Sequence, residues 1–157
     1  MTQAPTDSFL RAILTRAKSF ACVGVSPDPI RPSNYVARYL HRRGYRIVSV
    51  NPKAAGTELF GGTVVASLAE IEGPVDVLDV FRKPEAVPGL VEEALRLLPD
   101  LSCVWLQIGV TSPEAREMCA AAGIDFVEDR CPKIEHQRLF GELRKAGFAT
   151  GILSSRL

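Results

Sequence analysis

Small, amide-bearing and cationic residues follow each of four short apolar runs in this 157-residue chain. The candidate site residues are Gly24, Val25, Ser26, Ser33, Asn51, Pro52, Lys53, Phe81, Arg82, Lys83, Gln107 and Gly109. Glycine lets a ligand approach the backbone closely, and lysine and arginine form charge-assisted hydrogen bonds with phosphate. These residue types at these places predict a nucleotide-binding site for a phosphorylated ligand.

The segment after the first apolar run contains Gly24 and Ser26 but differs from the G-x-G-x-x-G dinucleotide fingerprint. It is longer than the fingerprint and rich in proline. We expect Ser33 or Asn34 to cap the next helix, whose N-terminal N–H groups attract anions. A stiff proline-rich turn without a ligand is the alternative interpretation.

The second run is followed by Asn51 and Lys53, where an NAD site places an acidic residue for the ribose hydroxyls. A lysine here suits a phosphorylated ribose and disfavours unphosphorylated NAD. A solvated loop lysine is the alternative interpretation of Lys53.

The third run ends in Phe81 and Arg82, and the fourth ends in Gln107 and Gly109. Phe81 can cover an adenine ring or an apolar tail, Arg82 can pair with phosphate, and Gln107 offers an amide. The alternatives are a core position for Phe81 and an exposed glycine turn at Gln107. Together the four strand ends predict an anionic, partly apolar ligand that is larger than one phosphate.

These candidates depend on an alternation of short apolar runs with amphipathic stretches. The runs begin at Phe20, Arg46, Val75, Cys103 and Ile124. They are rich in β-branched and aromatic residues and are typical of strands, whereas the intervening stretches have helical periodicity. The alternation predicts an α/β fold: a Rossmann-like, doubly wound, mainly parallel five-stranded sheet with helices on both faces, in one domain over residues 1–157.

Local signals also place several helix ends. Ser112 precedes a proline and Gly123 closes the same segment, a pattern typical of a capped helix. Ser67–Glu70 has the capping-box pattern of a short helix. We expect a last helix that begins near Pro132 and carries Leu139 and Leu143.

The composition argues against several classes of protein. The 19 Lys and Arg residues balance 18 Asp and Glu residues, so a nucleic-acid partner is not expected. No apolar run reaches the roughly 18 residues of a membrane span, and the first residues lack a secretory signal pattern, so we expect a cytoplasmic protein without a membrane partner. The cysteine spacings argue against a zinc site and a disulfide framework.

The order and spacing of the strand-end motifs resemble those of the stand-alone CoA-binding proteins, which are similar to the CoA-binding domain of the succinyl-CoA synthetase α subunit. The motifs are Gly24-Val-Ser26, Asn51-Pro52-Lys53, Phe81-Arg82-Lys83, Gln107-Ile-Gly109 and Arg130-Cys131-Pro132-Lys133-Ile134-Glu135-His136. The resemblance extends from about Ser8 to His136 and implies a Rossmann-type domain that binds coenzyme A.

The resemblance also implies roles for individual residues. The loop at Gly24 would meet the nucleotide end, Lys53 would contact the CoA phosphates, and Phe81–Lys83 would pack against CoA. Gln107 and Gly109 match the turn that follows in the synthetase. Coenzyme A carries roughly four negative charges near neutral pH, which suit a helix N-terminus with several cations.

The function implied is a coenzyme A or acyl-CoA binding protein without evident catalytic machinery, acting as a sensor, carrier or regulatory partner. A homodimer or an unknown protein partner stays open. One alternative is an NAD(P)-type enzyme, which the missing fingerprint opposes. The other is an acyl-CoA-handling enzyme with a Cys131/His136 pair, in which neighbouring cations would lower the pKa of the thiol.

Overall fold

The structure is a computed structural model that describes residues 4–141. Its helices are α1 (Asp7–Arg16), α2 (Pro32–Arg42), α3 (Val87–Leu97), α4 (Pro113–Ala122) and α5 (Pro132–Leu139). Its strands are β1 (Ser19–Val23), β2 (Arg46–Val50), β3 (Glu58–Leu59), β4 (Gly62–Thr63), β5 (Val77–Val80), β6 (Cys103–Leu106) and β7 (Asp125–Val127). Short 3₁₀ turns cover residues 52–54, 68–70 and 84–86.

Five strands form one parallel sheet in the order β2-β1-β5-β6-β7. In the central register Cys22 on β1 lies opposite Asp79 on β5, and Asp79 lies opposite Trp105 on β6. Helices cover both faces, so the predicted Rossmann-like α/β fold is confirmed. The short antiparallel pair β3–β4 lies beside β2 and was not predicted, because two-residue strands are too short to show a period.

The core has two halves, one on each face of the sheet. Phe20 and Cys22 point into the half that includes α1, α2 and α5, whereas Ala21 and Val23 point into the half that includes α3 and α4. All of β1, β5 and β6 is buried, which explains why these strands are mostly apolar in the sequence. The buried polar residues in them are Ser19 and Asp79. Cys22 and Cys103 are core residues, as predicted.

The helix-end predictions are confirmed for α4 and wrong for α2. Ser112 Oγ accepts a hydrogen bond from Ala115 N at 3.1 Å, and Gly123 ends α4 with φ 72°. The N-cap of α2 is Arg31, whose side chain makes no capping bond. Ser33 and Asn34 lie inside the first turn instead, because their polar atoms turn back to the preceding loop.

The remaining boundaries agree with the sequence. The Ser67–Glu70 capping-box pattern forms a short 3₁₀ turn in which Glu70 Oε2 accepts from Ser67 N at 3.2 Å. The last described helix begins at Pro132 and includes Leu139, while Leu143 lies outside the described residues. Within residues 4–141 no helix has the length and apolar character needed to span a membrane.

Candidate functional site

The sheet order brings four of the predicted strand ends together. The chain leaves β1 toward β2 and leaves β5 toward β6, on opposite sides, so a crevice opens between the carboxyl ends of β1 and β5. A cleft of about 900 Å³ lies there. Its lining residues are Gly24, Ser26, Arg31, Pro32, Ser33, Val36, Lys53, Phe81, Arg82, Lys83, Gln107, Ile108, Val110 and Cys131.

The cleft contains most of the residues singled out in the sequence but not all of them. The predicted residues that line it are Gly24, Ser26, Ser33, Lys53, Phe81, Arg82, Lys83 and Gln107. Val25 is fully buried in the core, and Pro52 faces an adjoining pocket of about 390 Å³. Gly109 lies outside the lining, and its N–H donates to Asp129 Oδ1 at 2.7 Å.

Asn51 supports the cleft without lining it. Its Nδ2 donates to Val25 O at 2.9 Å, and its Oδ1 accepts from Lys53 N at 3.0 Å. Both ends of the amide therefore make hydrogen bonds within the protein. The side chain ties the ends of β1 and β2 together and holds the backbone of Lys53 at the cleft.

The nucleotide-facing loop is also held by internal hydrogen bonds. Ser33 Oγ accepts from Ser26 N at 2.9 Å, and Asn34 Nδ2 donates to Ser26 O at 2.9 Å. The N-cap residue of α2 is Arg31, whose guanidinium has no acceptor atom, so the N-terminus of α2 has no side-chain cap. Pro32 and Ser33 line the cleft, so this helix end presents its partial positive charge there.

Gly24 is required by the packing of β5. Its φ is 94°, in the left-handed region, and a Cβ at this position would lie 3.0 Å from Phe81 O. The Arg82 Nε atom would lie 3.4 Å from the same Cβ. The glycine therefore lets Arg82 lie directly against the loop that follows β1.

One half of the cleft is strongly cationic although the whole chain is nearly neutral. Arg31, Lys53, Arg82 and Lys83 line it, and no acidic side chain is among the lining residues. Among the described residues, none of these four cations has a carboxylate within ion-pair distance. Their charge is therefore available to an anionic ligand.

The other half of the cleft is apolar and was largely missed by the sequence reasoning. Ile108, Val110 and Cys131 line it from the end of β6 and the start of α5, and Val36 lines it from α2. Ile108 is 60% exposed, which is unusual for an isoleucine. Its position directly after a strand end was the signal that could have identified it. The cleft thus has a cationic end near β2, β1 and β5 and an apolar end near β6.

The suggested Cys131/His136 pair is not formed. His136 Nδ1 lies 2.9 Å from Tyr39 Oη, and the imidazole stacks on Phe140 with ring centroids 4.5 Å apart. Within residues 4–141 no hydrogen bond joins Cys131 to His136. His136 packs the last helix against α2, which is the structural interpretation of this residue.

The cations near Cys131 do not activate its thiol. Burial raises the pKa of Cys131 to about 11, and this effect outweighs the lowering by nearby N–H groups and Lys133. Arg130 is engaged elsewhere, since its Nη1 lies 2.9 Å from Glu135 Oε1. The expectation of a lowered thiol pKa is therefore wrong, and the thiol stays protonated near neutral pH.

Comparison with known families gives a match to the CoA binding domain family over residues 18–137. The chain is 38% identical over 134 residues to the protein YneT of Bacillus subtilis strain 168, covering 85% of this chain and 96% of YneT.

Solved structures agree with this match. A Thermus thermophilus protein designated cell-free ID.343 has a TM-score of 0.81 and 48% identity, covering 87% of this chain and 100% of its own. A hypothetical protein from Pyrococcus horikoshii OT3 has a TM-score of 0.81 and 37% identity, covering 90% and 99% of the two chains. The dinucleotide-forming acetyl-coenzyme A synthetase 1 of Ca. Korarchaeum cryptofilum shares the fold at 18% identity, with a TM-score of 0.57 over 69% of this chain and 25% of the synthetase.

Proposed function

The chain belongs to the CoA binding domain family, and from that membership we propose that the cleft above β1 and β5 binds coenzyme A. The observation that carries the proposal is the division of the cleft into a cationic half and an apolar half. Coenzyme A has the same division, with a phosphorylated adenosine diphosphate at one end and a pantetheine arm at the other.

The cationic half suits the phosphates. Lys53, Arg82 and Lys83 come from the ends of two different strands, and Arg31 comes from the start of α2. With the uncapped helix end they supply both point charges and N–H donors for the pyrophosphate and the 3′-phosphate. This constellation supports the roles that the sequence resemblance implied for Lys53 and Arg82.

The adjoining pocket suits the adenine ring. It shares Arg82 with the main cleft and is lined by Val50, Pro52 and Leu90 among others. Its apolar walls could sandwich a flat base, and its volume is about 390 Å³. In this arrangement Pro52 contacts the ligand from outside the main cleft.

We infer that the protein binds its ligand without making or breaking covalent bonds in it. The buried Cys131 thiol stays protonated near neutral pH, and His136 contacts Tyr39 instead of Cys131. We therefore propose a cytoplasmic carrier, sensor or regulatory protein for coenzyme A or its acyl thioesters.

The proposal is tested by calorimetric titration with coenzyme A and with NADP. Coenzyme A should bind more tightly than NADP, because NADP has no pantetheine arm to occupy the apolar half of the cleft. Lys53→Ala and Arg82→Ala should each weaken coenzyme A binding at least about fivefold, since each removes a charge-assisted contact.

The matched control is Lys18→Ala. Lys18 is exposed and directly precedes β1, so it lies at the opposite edge of the sheet from the cleft. Its removal should leave the affinity unchanged. Equal weakening by all three variants, or NADP binding as tightly as coenzyme A, would contradict the proposal.

A further inference from the structure

A buried carboxyl group lies directly beneath the cleft. Asp79 is fully buried in the central strand β5. Gln107 Nε2 donates to Asp79 Oδ1 at 2.8 Å. Cys22 Sγ, on the neighbouring strand β1, lies 3.8 Å from Asp79 Oδ2 and donates to it. Asp79 is therefore joined to a residue that lines the cleft.

This contact decides which end of the Gln107 amide faces the cleft. An ionised carboxylate can only accept hydrogen bonds, so it takes the NH₂ group of the amide. Besides the second Nε2 proton, the amide then leaves its Oε1 atom as the hydrogen-bond acceptor for the cleft. A ligand group that meets it must be a hydrogen-bond donor.

The neighbours of Gln107 indicate which part of the ligand this is. Ile108, Val110 and Cys131 lie beside it at the apolar end of the cleft, and β6 is separated by two strands from β2, whose end carries Lys53. The donors that coenzyme A carries outside its nucleotide are the amide N–H groups, the pantoate hydroxyl and the thiol of the pantetheine arm. The amides are present in both coenzyme A and its thioesters.

We propose that Asp79 is a positioning residue: when ionised, it turns Gln107 so that Oε1 accepts a hydrogen bond from an amide N–H of the pantetheine arm. The inference rests on the proposed function, since it takes coenzyme A as the ligand. When Asp79 is protonated, its hydroxyl can donate to Gln107 Oε1, and the amide then presents NH₂ to the cleft.

Asp79 titrates in a pH range where the reorientation of the Gln107 amide can be measured. Burial raises the pKa of Asp79 to about 7, against a smaller lowering by the hydrogen bonds from Gln107 and Cys22. Among the described residues, the titratable groups that interact with it are the thiols of Cys22, Cys103 and Cys131, on β1, β6 and the start of α5. Burial raises the pKa of each thiol, so all three stay neutral while Asp79 ionises.

The direction of the pH effect follows from linkage. The ligand prefers ionised Asp79, so its affinity is highest above the pKa of Asp79 and falls as the pH is lowered through about 7. The 3′-phosphate of coenzyme A titrates in the same region in every variant. The effect is therefore measured as a difference between variants.

The experiment compares coenzyme A affinity at about pH 8 and about pH 6 for the wild type, Asp79→Asn and Gln107→Leu. The wild type should weaken about fivefold more than either variant, which is the loss expected for one hydrogen bond. Asp79→Asn should match the wild type at the higher pH, because its Oδ1 can still accept from Gln107. Gln107→Leu should be weaker than the wild type at the higher pH. Parallel pH profiles for all three proteins would overturn the inference.

Two further measurements separate the possible failures. In the free protein, the side-chain ¹H–¹⁵N signals of Gln107 should shift with a midpoint near pH 7 in the wild type and stay constant in Asp79→Asn. If the shift occurs but neither the wild type nor any variant binds coenzyme A, the proposed function is wrong. The assignment of the pantetheine arm as the partner of Gln107 is then wrong too. If coenzyme A binds but Gln107 does not respond to pH, the inference alone is overturned.

Acetyl-CoA distinguishes the thiol from the other donors, because it keeps the amides and the hydroxyl and lacks the thiol proton. It should show the same pH dependence as coenzyme A. Loss of the dependence with acetyl-CoA would assign the donor to the thiol and overturn the amide assignment. Gln107→Leu changes a partly exposed residue, so it keeps the test decisive if Asp79→Asn fails to fold.

Discussion

Two glycines at the carboxyl edge of the sheet have similar backbone angles but different surroundings. Gly24 has φ 94° and Gly109 has φ 84°, so an alanine would be strained at either position. A Cβ at Gly109 would meet no atom within 4 Å, whereas one at Gly24 would lie 3.0 Å from Phe81 O. The pair therefore separates backbone strain from close packing at single residues.

We predict that Gly109→Ala destabilises the protein by about 1 kcal/mol, the cost of the left-handed conformation alone. Gly24→Ala should cost about 2–3 kcal/mol, because the end of β5 must also move. Gly24→Ala should weaken coenzyme A binding too, since the moved segment carries Arg82. Urea unfolding and calorimetric titration measure the two effects, and equal stability losses would show that the Phe81 contact is unimportant.

At the scale of elements, two helices have a serine near their N-terminus whose hydroxyl accepts a backbone hydrogen bond. Ser112 caps its own helix, α4, through Ala115 N, whereas Ser33 in α2 accepts from Ser26 N in the preceding loop. The first bond stabilises a helix, and the second holds a loop at the cleft. The two serines are thus a matched pair with different consequences for binding.

We predict that Ser33→Ala and Ser112→Ala each lower the free energy of unfolding by about 1 kcal/mol. Only Ser33→Ala should weaken coenzyme A binding, by a fewfold, and speed amide hydrogen exchange in residues 26–31. A loss of affinity in Ser112→Ala as large as in Ser33→Ala would contradict a specific role for the loop.

At the scale of the whole molecule, one sheet contributes side chains to both halves of the core, one half on each of its faces. Leu40 on α2 belongs to one half and Leu78 on β5 to the other, and both are fully buried. The single tryptophan, Trp105, is buried in the same half as Leu40. Because every central strand contributes side chains to both halves, neither half can unfold while the sheet persists.

We predict that Leu40→Ala and Leu78→Ala each destabilise the protein by about 2–5 kcal/mol, as large-to-small core substitutions do. In urea, Trp105 fluorescence and far-ultraviolet circular dichroism should give one coincident transition for the wild type and both variants. If Leu78→Ala loses secondary structure before Trp105 becomes exposed, the two halves unfold independently.

Much of the architecture was predictable from short-range patterns. The short apolar runs predicted β1, β2, β5, β6 and β7, and β1, β5 and β6 are buried throughout because helices cover both faces of the sheet. The cap at Ser112 and the stop at Gly123 act within one turn of their own helix. Lys53 and Arg82 were identified because parallel strands end at a common edge, whatever their order.

Only the tertiary structure decided which of these residues can contact a ligand and which form hydrogen bonds within the protein. Asn51 and Ser33 have residue types suited to ligand binding, but their hydrogen bonds are used within the protein. His136 meets Tyr39, which is 97 positions away in the chain, instead of the nearby Cys131.

The strand order and the Asp79–Gln107 contact also depend on tertiary packing, because each joins segments that are distant in sequence. Local periodicity and helix capping reflect interactions over a few residues, so the sequence by itself determines them. Burial, hydrogen-bond partners and the pKa of Asp79 depend on which distant segments pack together, and only the folded chain determines those.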